Sequence, residues 1–326
     1  MTVLITGVAG FIGAHVASAL LARGETVIGL DSLNDYYSPQ LKRDRLVALC
    51  DYPHFTFKQA NISSAESVTA ALGDRQPTRI IHLAAQAGVR YSLQNPAAYV
   101  EANLKGHFNI LDLARTLETE NMVYASSSSI YGGNDKIPFA ETDQTDDPVS
   151  FYGATKKSNE LMAQSYARLY GMSLTGLRFF TVYGPWGRPD MAYWIFAEKI
   201  LKGEPIRIFN HGKMSRDFTF IDDIVRGVIA ALDRPAAGLG LAVPHRLYNL
   251  GNDRPEPLMD MISLTEQGLG LAASKTYEAM QKGDLEKTWA DIDRARTELD
   301  YAPSVGLKQG LSHFTDWFKA NWTKYC

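Results

Sequence analysis

Cysteine is scarce in this sequence of 326 residues, which contains only two, Cys50 and Cys326. So few cysteines argue against a framework of disulfide bonds and fit a reducing compartment. The seven histidines are scattered, and no cluster of Cys and His has metal-ligand spacing, so we predict no metal site. Neither sign of charge is in large excess. The formal net charge of −3 gives no electrostatic basis for binding nucleic acid, and we expect no such partner.

Long hydrophobic runs are missing as well. No stretch reaches the roughly 18 uninterrupted apolar residues that a membrane-spanning helix needs. The first 22 residues are largely apolar, but glycines interrupt them and they contain no Lys or Arg. A secretory signal would have a basic start and an unbroken apolar centre. We therefore expect a cytoplasmic protein without a membrane partner.

Short apolar runs alternate with segments of helical periodicity. Strands are predicted at residues 2–6, 26–31, 79–84, 121–126, 173–180 and 246–251. Helices are predicted between them, at roughly 11–24, 64–72, 97–119, 151–170 and 222–233. Strands that are apolar on both faces and alternate with helices are typical of a parallel sheet covered on both sides. The sequence thus predicts an α/β fold with a doubly wound parallel sheet.

The pattern changes after about residue 180, where glycine, proline, arginine and aromatic residues become frequent. Segments of this composition commonly build a binding surface over a rigid sheet. We therefore predict a first domain at 1–180, with a returning segment near 217–250. A smaller C-terminal substrate-binding lobe is predicted at 181–216 and 251–326. His82, on the apolar strand at 79–84, is expected to be a packed core residue.

Three glycines, Gly7, Gly10 and Gly13, lie between the first strand and the first helix. Glycine permits a tight turn and a close approach of the backbone to a pyrophosphate, which the N–H groups of the helix can bind. Asp31 ends the second strand, where a carboxylate can accept both ribose hydroxyls of an adenosine. Ser32 follows, with no arginine for a 2′-phosphate, so the pattern favours NAD over NADP.

Tyr152 and Lys156 are one helical turn apart and share a helix face. A tyrosine normally titrates near ~10, and a neighbouring ammonium would lower that pKa. The strand at 121–126 runs into four serines, 126–129, at the edge of the sheet where ligands bind. The pair alone could be an ordinary surface pair. Together with the glycine loop and Asp31, it predicts the proton-transfer centre of a dinucleotide-dependent enzyme.

Longer stretches carry a family resemblance that covers the whole chain. The stretches TGVAGFIG, SSSSIYG, YGATK and SRDFTFIDDI resemble the nucleotide-sugar branch of the extended short-chain dehydrogenase/reductase family. Others are similar to the UDP-glucuronate 4-epimerase subfamily, namely DSLNDYY, AAQAGVRYS, FFTVYGPWGRPDMA, MQKGD and TWADI. The resemblance implies a Rossmann-type doubly wound fold, NAD as cofactor and a UDP-sugar as substrate. It also implies a homodimer, paired through the helices at 97–119 and 151–170.

The resemblance also implies roles for individual residues. As catalytic residues it implies Ser127, Tyr152 and Lys156. For the cofactor it implies Gly7, Gly10, Phe11, Ile12, Gly13, Asp31, Asn34, Asn61, Ile62, Leu83, Ala84, Ala85, Gln86, Tyr152 and Lys156. For the substrate it implies Arg90, Ser128, Ser129, Thr181, Arg188 and Arg216. Arg90 could equally cap a loop. Asn61 stands where many relatives carry Asp, but its carbonyl could still accept a hydrogen bond from the adenine amino group.

The implied reaction is 4-epimerisation of UDP-glucuronate through a 4-keto sugar, with Tyr152 as the base. Related dehydratases and decarboxylases carry an acid two residues before the tyrosine of SSSSIYG, where this chain has Ser129. A 4-keto glucuronate is a β-keto acid, so an epimerase must hold the carboxylate to prevent loss of carbon dioxide. Arg188 is predicted to do this, together with the hydroxyls of Thr181, Ser128 and Ser129. The alternatives are a UDP-glucose 4-epimerase, a UDP-glucuronate decarboxylase and a binding module without turnover.

Overall fold

The computed structural model describes residues 1–281 and 285–326. The last three residues of the MQKGD stretch lie outside these ranges. None of the helices that they contain combines the length and apolarity needed to cross a membrane.

A seven-stranded sheet forms the centre of the fold, and all its neighbouring strands are parallel. Its strands are β1 (Thr2–Thr6), β2 (Thr26–Asp31), β3 (Phe55–Gln59), β4 (Arg79–His82), β5 (Asn121–Ser127), β6 (Leu174–Phe179) and β10 (His245–Leu250). The order across the sheet is β10-β6-β5-β4-β1-β2-β3. The chain therefore starts in the middle of the sheet and winds outward in both directions, so the carboxyl ends of β1 and β4 lie side by side.

The core lies on both faces of this sheet, because side chains alternate along each strand. In β1, Val3 and Ile5 belong to one apolar cluster and Leu4 to the other. The first cluster includes α1 (Phe11–Ala22), α2 (Pro39–Cys50) and α9 (Ile221–Asp233). The second includes α3 (Ala65–Leu72), α6 (Gly106–Thr116) and α7 (Phe151–Tyr170). The predicted doubly wound α/β fold is confirmed.

A second, smaller sheet lies beyond the carboxyl edge of the first. It contains β7 (Thr181–Tyr183), β9 (Ser215–Phe220), β11 (Pro255–Pro257) and β13 (Lys287–Thr288), while β8 (Ile206–Ile208) pairs with β12 (Lys275–Tyr277). The accompanying helices are α8 (Ala192–Lys202), α10 (Leu258–Leu269), α11 (Asp293–Leu299) and α12 (Leu307–Tyr325). The chain returns to the first sheet through α9 and β10. The strand β9, which precedes them, belongs to the smaller sheet.

The helix α2 and the edge strand β3 were not predicted. The helix expected at 97–119 is also not uniform: α5 (Pro96–Tyr99) follows the short α4 (Tyr91–Gln94) and passes through a π-helical turn, Val100–Lys105, into α6. This turn carries the buried Asn103, whose side chain bonds the loop after β4 and α7. Its Oδ1 accepts from the Gln86 N–H at 2.8 Å, and its Nδ2 lies 3.1 Å from the Thr155 hydroxyl.

Candidate active site

A cavity of about 700 Å³ lies at the carboxyl edge of the large sheet, between it and the smaller sheet. Such a volume suits a small-molecule or cofactor site. All the predicted site residues except Arg90 line it. The Arg90 guanidinium instead lies 4.8 Å from the centre of the Phe209 ring. His82 is buried below the site and bonds the Thr6 hydroxyl through Nδ1 at 2.7 Å, as expected for a packed core histidine.

The backbone of the glycine loop is packed so closely that it leaves no room for a side chain. Gly7 has φ +75°, and a Cβ on Gly13 would lie 2.1 Å from the Gly7 carbonyl oxygen. The helix α1 begins directly after Gly10, and no side chain caps its first N–H groups. The N-terminus of α1 therefore offers N–H donors and the positive end of the helix dipole to an anion in the cavity. These features fit a dinucleotide pyrophosphate.

Asp31 is held at the end of β2 by two backbone donors. Its Oδ2 accepts from the Ala9 N–H at 3.1 Å and its Oδ1 from the Leu33 N–H at 2.9 Å. Burial raises the pKa of this carboxyl, while these two bonds and the Lys42 ammonium oppose the shift. A carboxylate so placed suits the ribose hydroxyls of NAD.

The Lys42 ammonium bonds both oxygens of Asn34, at 2.5 Å each. Asn61, which was expected to accept from adenine, already accepts two bonds at Oδ1. The donors are the N–H of Ser63 at 3.0 Å and its hydroxyl at 2.7 Å. An amide oxygen has two lone pairs, so these bonds occupy its ordinary capacity.

The three predicted catalytic residues meet in the same cavity. Ser127 ends β5, and α7 begins with Ser150 as its cap, whose hydroxyl accepts from the Gly153 N–H at 3.0 Å. This cap places Tyr152 in the first turn and Lys156 one turn later. Because the pair lies at the end of α7 that meets β5, both side chains reach the carboxyl edge of the sheet.

Burial raises the pKa of Tyr152. A hydrogen bond with Ser127 and the positive charge of Arg188 oppose that shift. Lys156 was expected to lower this pKa, but its ammonium donates to the Ala125 carbonyl at 2.9 Å, and the cation that acts on Tyr152 is Arg188. Burial lowers the pKa of Lys156 to about 8. Of the charged groups near Tyr152, Arg188 therefore favours the phenolate, while Asp190 and burial oppose it.

The cavity wall also carries Arg188 and Thr181, together with Ser128 and Ser129. The Arg188 guanidinium is already paired: Nε donates to Oδ1 of Asp190 at 3.0 Å, and Nη2 donates to Oδ2 at 2.5 Å. Arg216 enters the cavity from β9, and its Nη1 donates to the Ser215 and Glu286 carbonyls at 2.9 and 3.1 Å.

Sequence reasoning missed a buried arginine that joins the glycine loop to the turn before Arg188. Arg45, in α2, donates through Nη1 to the Ala9 carbonyl at 2.9 Å, in the glycine loop. Its Nε and Nη2 both bond the Trp186 carbonyl, and Nη2 also bonds that of Gly187 at 2.7 Å. Trp186 has φ +60°, a left-handed conformation that is rare outside glycine. Arg45 thus fixes the strained turn that leads into Arg188.

Comparison with known proteins gives the class first. The chain belongs to the NAD dependent epimerase/dehydratase family, whose model matches residues 3–251. It is 47% identical to "UDP-glucuronate 4-epimerase 4" of Arabidopsis thaliana over 98% of this chain and 75% of that protein. It is 44% identical to the "Probable UDP-glucuronate 4-epimerase" of Rhizobium meliloti, over 99% and 98% of the two chains. The predicted family resemblance is confirmed.

Solved structures agree with this assignment. The UDP-glucuronic acid 4-epimerase of Bacillus cereus, in complex with UDP-glucuronic acid and NAD, superposes with a TM-score of 0.90 at 33% identity, covering 98% of this chain and 99% of that one. The UDP-glucose 4-epimerase of Thermotoga maritima, with UDP-glucose, has a TM-score of 0.87 at 30% identity, covering 99% and 100%. The fold is therefore shared by epimerases of acidic and of neutral UDP-sugars.

Proposed function

We propose that this chain interconverts UDP-glucuronate and UDP-galacturonate with a retained NAD. The observation that carries the proposal is that one cavity is lined by Tyr152, by the glycine loop with Asp31, and by Arg188, whose charge acts on Tyr152. The relatives named UDP-glucuronate 4-epimerase support the choice of substrate.

The residues of the chain divide the work as follows. Tyr152, as a phenolate, takes the proton from the sugar 4-hydroxyl, and Ser127 bonds both the phenol and that hydroxyl. Lys156 binds the nicotinamide ribose, and Arg216 the phosphates of UDP. NAD, when bound, supplies a reversible acceptor for the hydrogen at carbon 4. The 4-keto sugar then turns over in the cavity, so that the hydride would return to the other face of carbon 4 while Tyr152 returns the proton to the 4-oxygen.

The 4-keto stage needs protection of the sugar carboxylate. Arg188, Thr181, Ser128 and Ser129 all line the cavity, and they supply donors that can hold the carboxylate out of the orientation in which carbon dioxide is lost. Ser129 brings no acid to the site, which separates this chain from the decarboxylases and dehydratases. UDP-glucose is the second candidate substrate, because the Thermotoga maritima epimerase shares the fold and because Asp190 already offsets the charge of Arg188.

We also propose a homodimer and a cytoplasmic location. The outer face of α6, α7 and the π-helical turn carries the exposed side chains Val100, Phe108, Leu161 and Leu169. Leu161 and Leu169 are 59% and 67% exposed, which is unusual for two leucines on one helix face unless another surface covers them. The two unpaired cysteines support a reducing compartment.

Proton NMR of the purified protein with UDP-glucuronate tests the activity, first without added NAD and then with it. Growth of UDP-galacturonate signals without added NAD is expected. A UDP-pentose as the main product would make the chain a decarboxylase. No reaction with UDP-glucuronate, together with conversion of UDP-glucose to UDP-galactose, would replace the proposed substrate with the second candidate.

A further inference from the structure

Arg188 has a carboxylate partner within its own chain. Asp190 takes the side-on edge of the guanidinium, formed by Nε and Nη2, in a two-bond fork. The two side chains are 24% and 26% exposed, so the pair lies at the cavity wall and is only partly screened by water. Asp190 leaves the end-on edge, formed by Nη1 and the second N–H of Nη2, for a substrate carboxylate, and Arg188 lines the cavity.

Asp190 is itself fixed from behind. The Tyr36 hydroxyl donates to Oδ2 of Asp190 at 3.1 Å, and Tyr36 lies in the loop after β2 that also carries Asn34. Gly88 packs against both groups: a Cβ there would lie 3.0 Å from the Tyr36 hydroxyl and 3.7 Å from Oδ2 of Asp190. Burial tends to raise the pKa of Asp190, but Arg188 and Tyr36 lower it, so the carboxylate stays ionised.

The proposed epimerisation places two opposing demands on Arg188. It must hold the sugar carboxylate while the 4-keto intermediate exists, and it must let the ring turn over before the hydrogen returns. An uncompensated guanidinium in a partly buried wall would bind the carboxylate most strongly and would oppose that rotation. A guanidinium that is already paired with an aspartate binds a second carboxylate mainly through directional hydrogen bonds, because the net Coulombic attraction is smaller.

We propose that Asp190 is a specificity-determining residue that offsets the charge of Arg188. Directional hydrogen bonds from Arg188 then hold the sugar carboxylate, and the sugar remains able to turn. This inference rests on the proposed function. It assigns Asp190 a role that opposes ground-state binding of the acidic sugar, since the aspartate reduces the attraction that Arg188 would otherwise exert. Tyr36 is a positioning residue, because it acts on Arg188 through Asp190.

The test is Asp190→Asn in the NAD-loaded protein, titrated calorimetrically with UDP-glucuronate and separately with UDP-glucose. Removing the compensating charge should tighten UDP-glucuronate binding about five- to tenfold and change UDP-glucose binding by less than about twofold. The kcat for UDP-glucuronate should fall with its KM, the pattern of a ground state bound too well. The acidic limb of the kcat profile should move to lower pH, because Asp190 raises the pKa of Tyr152.

Two further variants keep the test decisive. Asp190→Glu retains the charge, so it should keep the wild-type ratio of the two affinities even if turnover falls. Asp233→Asn makes the same change at an exposed aspartate far from the cavity, which accepts from Arg23 through both carboxylate oxygens. This variant should leave both affinities unchanged. Unchanged or weaker UDP-glucuronate binding in Asp190→Asn, or equal tightening in Asp190→Glu, would overturn the inference.

The inference and the proposed function fail in different ways. A wild-type protein that does not epimerise UDP-glucuronate would refute the proposed function, while the titrations would still report the effect of Asp190 on the two ligands. A wild-type protein that does epimerise it, with affinities insensitive to Asp190→Asn, would refute this inference alone.

Discussion

The Lys156 ammonium donates to the Ala125 carbonyl oxygen at 2.9 Å, so the lysine of the proposed catalytic pair is anchored to the strand that ends in Ser127. Burial lowers its pKa to about 8, and the nearby Glu160 only partly opposes this shift. The charge state of Lys156 can therefore change within a pH range accessible to the folded protein. As the pH rises through this range, NAD affinity and the stability of the ligand-free protein should therefore change in opposite directions.

The first prediction concerns pH. NAD affinity should begin to fall as pH rises through about 8, because Lys156 loses the charge that strengthens its bonds to the nicotinamide ribose. Over the same interval the ligand-free protein should become more stable. The folded-state pKa lies below the ordinary value of 10.5, so the buried ammonium destabilises the fold below about pH 8 and less so as pH approaches 10.5. Titrations of NAD and urea unfolding, each as a function of pH, measure both.

Tyr152→Phe provides the control, because it removes the other titrating group of the pair. It should keep the alkaline loss of NAD affinity. Lys156→Met should bind NAD weakly at every pH and show no decline in this range. A decline of equal size in Lys156→Met would assign the effect to another group.

Arg188→Ala should weaken UDP-glucuronate binding by about 2–3 kcal/mol, a typical loss for a charge-assisted pair. It should also raise the share of UDP-pentose among the products, because the carboxylate of the 4-keto intermediate is no longer directed. NMR of the product mixture gives both sugars at once. Arg90→Ala is the matched control, since Arg90 lies outside the cavity lining, and it should produce no additional pentose. Weaker binding without pentose would remove the directing role of Arg188.

Arg45→Lys should reduce both NAD affinity and UDP-glucuronate affinity, each by about tenfold. A lysine cannot reproduce the planar fork that bonds Ala9, Trp186 and Gly187 together. Because both ligands are affected through one side chain, the losses should appear in separate titrations of either ligand. Arg43→Lys, an exposed position of the same helix, should change neither affinity. Loss of only one ligand would show that Arg45 supports a single loop.

These residues show which parts of the site could be predicted from sequence. Tyr152, Lys156, the glycine loop and Asp31 were found because their chemistry depends on short spacings or on the end of a strand. Arg45 and its partner Trp186 are 141 positions apart, and the Tyr36 contact with Asp190 spans 154. No local pattern marks such contacts, which exist only after α2 and the loop before α8 pack together.

The fold, by contrast, could be predicted, because strands that are buried on both faces leave continuous apolar runs in the sequence. The edge strand β3 was missed because none of its residues is fully buried and Lys58 and Gln59 are exposed. The helix α2 was missed because charged residues occupy its buried face, where Lys42 and Arg45 are only 5% and 3% exposed. Both basic residues are buried through bonds to carbonyl oxygens, which a hydrophobic pattern does not reveal.

Glu160→Gln should destabilise the protein by about 3–5 kcal/mol, the usual cost of leaving one partner of a buried ion pair uncompensated. Glu160 and Arg178 are 4% and 3% exposed, and Arg178 donates to both carboxylate oxygens at 2.9 and 2.8 Å. The Ser126 hydroxyl, next to Ser127, donates to the same carboxylate at 2.6 Å. Urea unfolding measures the loss. Asp233→Asn, at an exposed pair, should cost less than about 1 kcal/mol; equal costs would mean that burial of the Glu160 pair is unimportant.

The proposed homodimer predicts that a charge on the outer face of α7 separates the subunits. Leu161→Lys, with Phe108→Lys as a second variant on α6, should weaken dimerisation by about a hundredfold or more, because the new ammonium would lose its water without gaining a partner. Sedimentation equilibrium measures the mass of each variant.

Val47→Lys is the matched control, since Val47 is 64% exposed on α2, a different face, and should leave the dimer intact. A wild-type protein that sediments as a monomer at micromolar concentration would refute the dimer, and separation by Val47→Lys alone would place the interface on α2. NAD affinity should be unchanged in all three variants, because none of these positions lines the cavity.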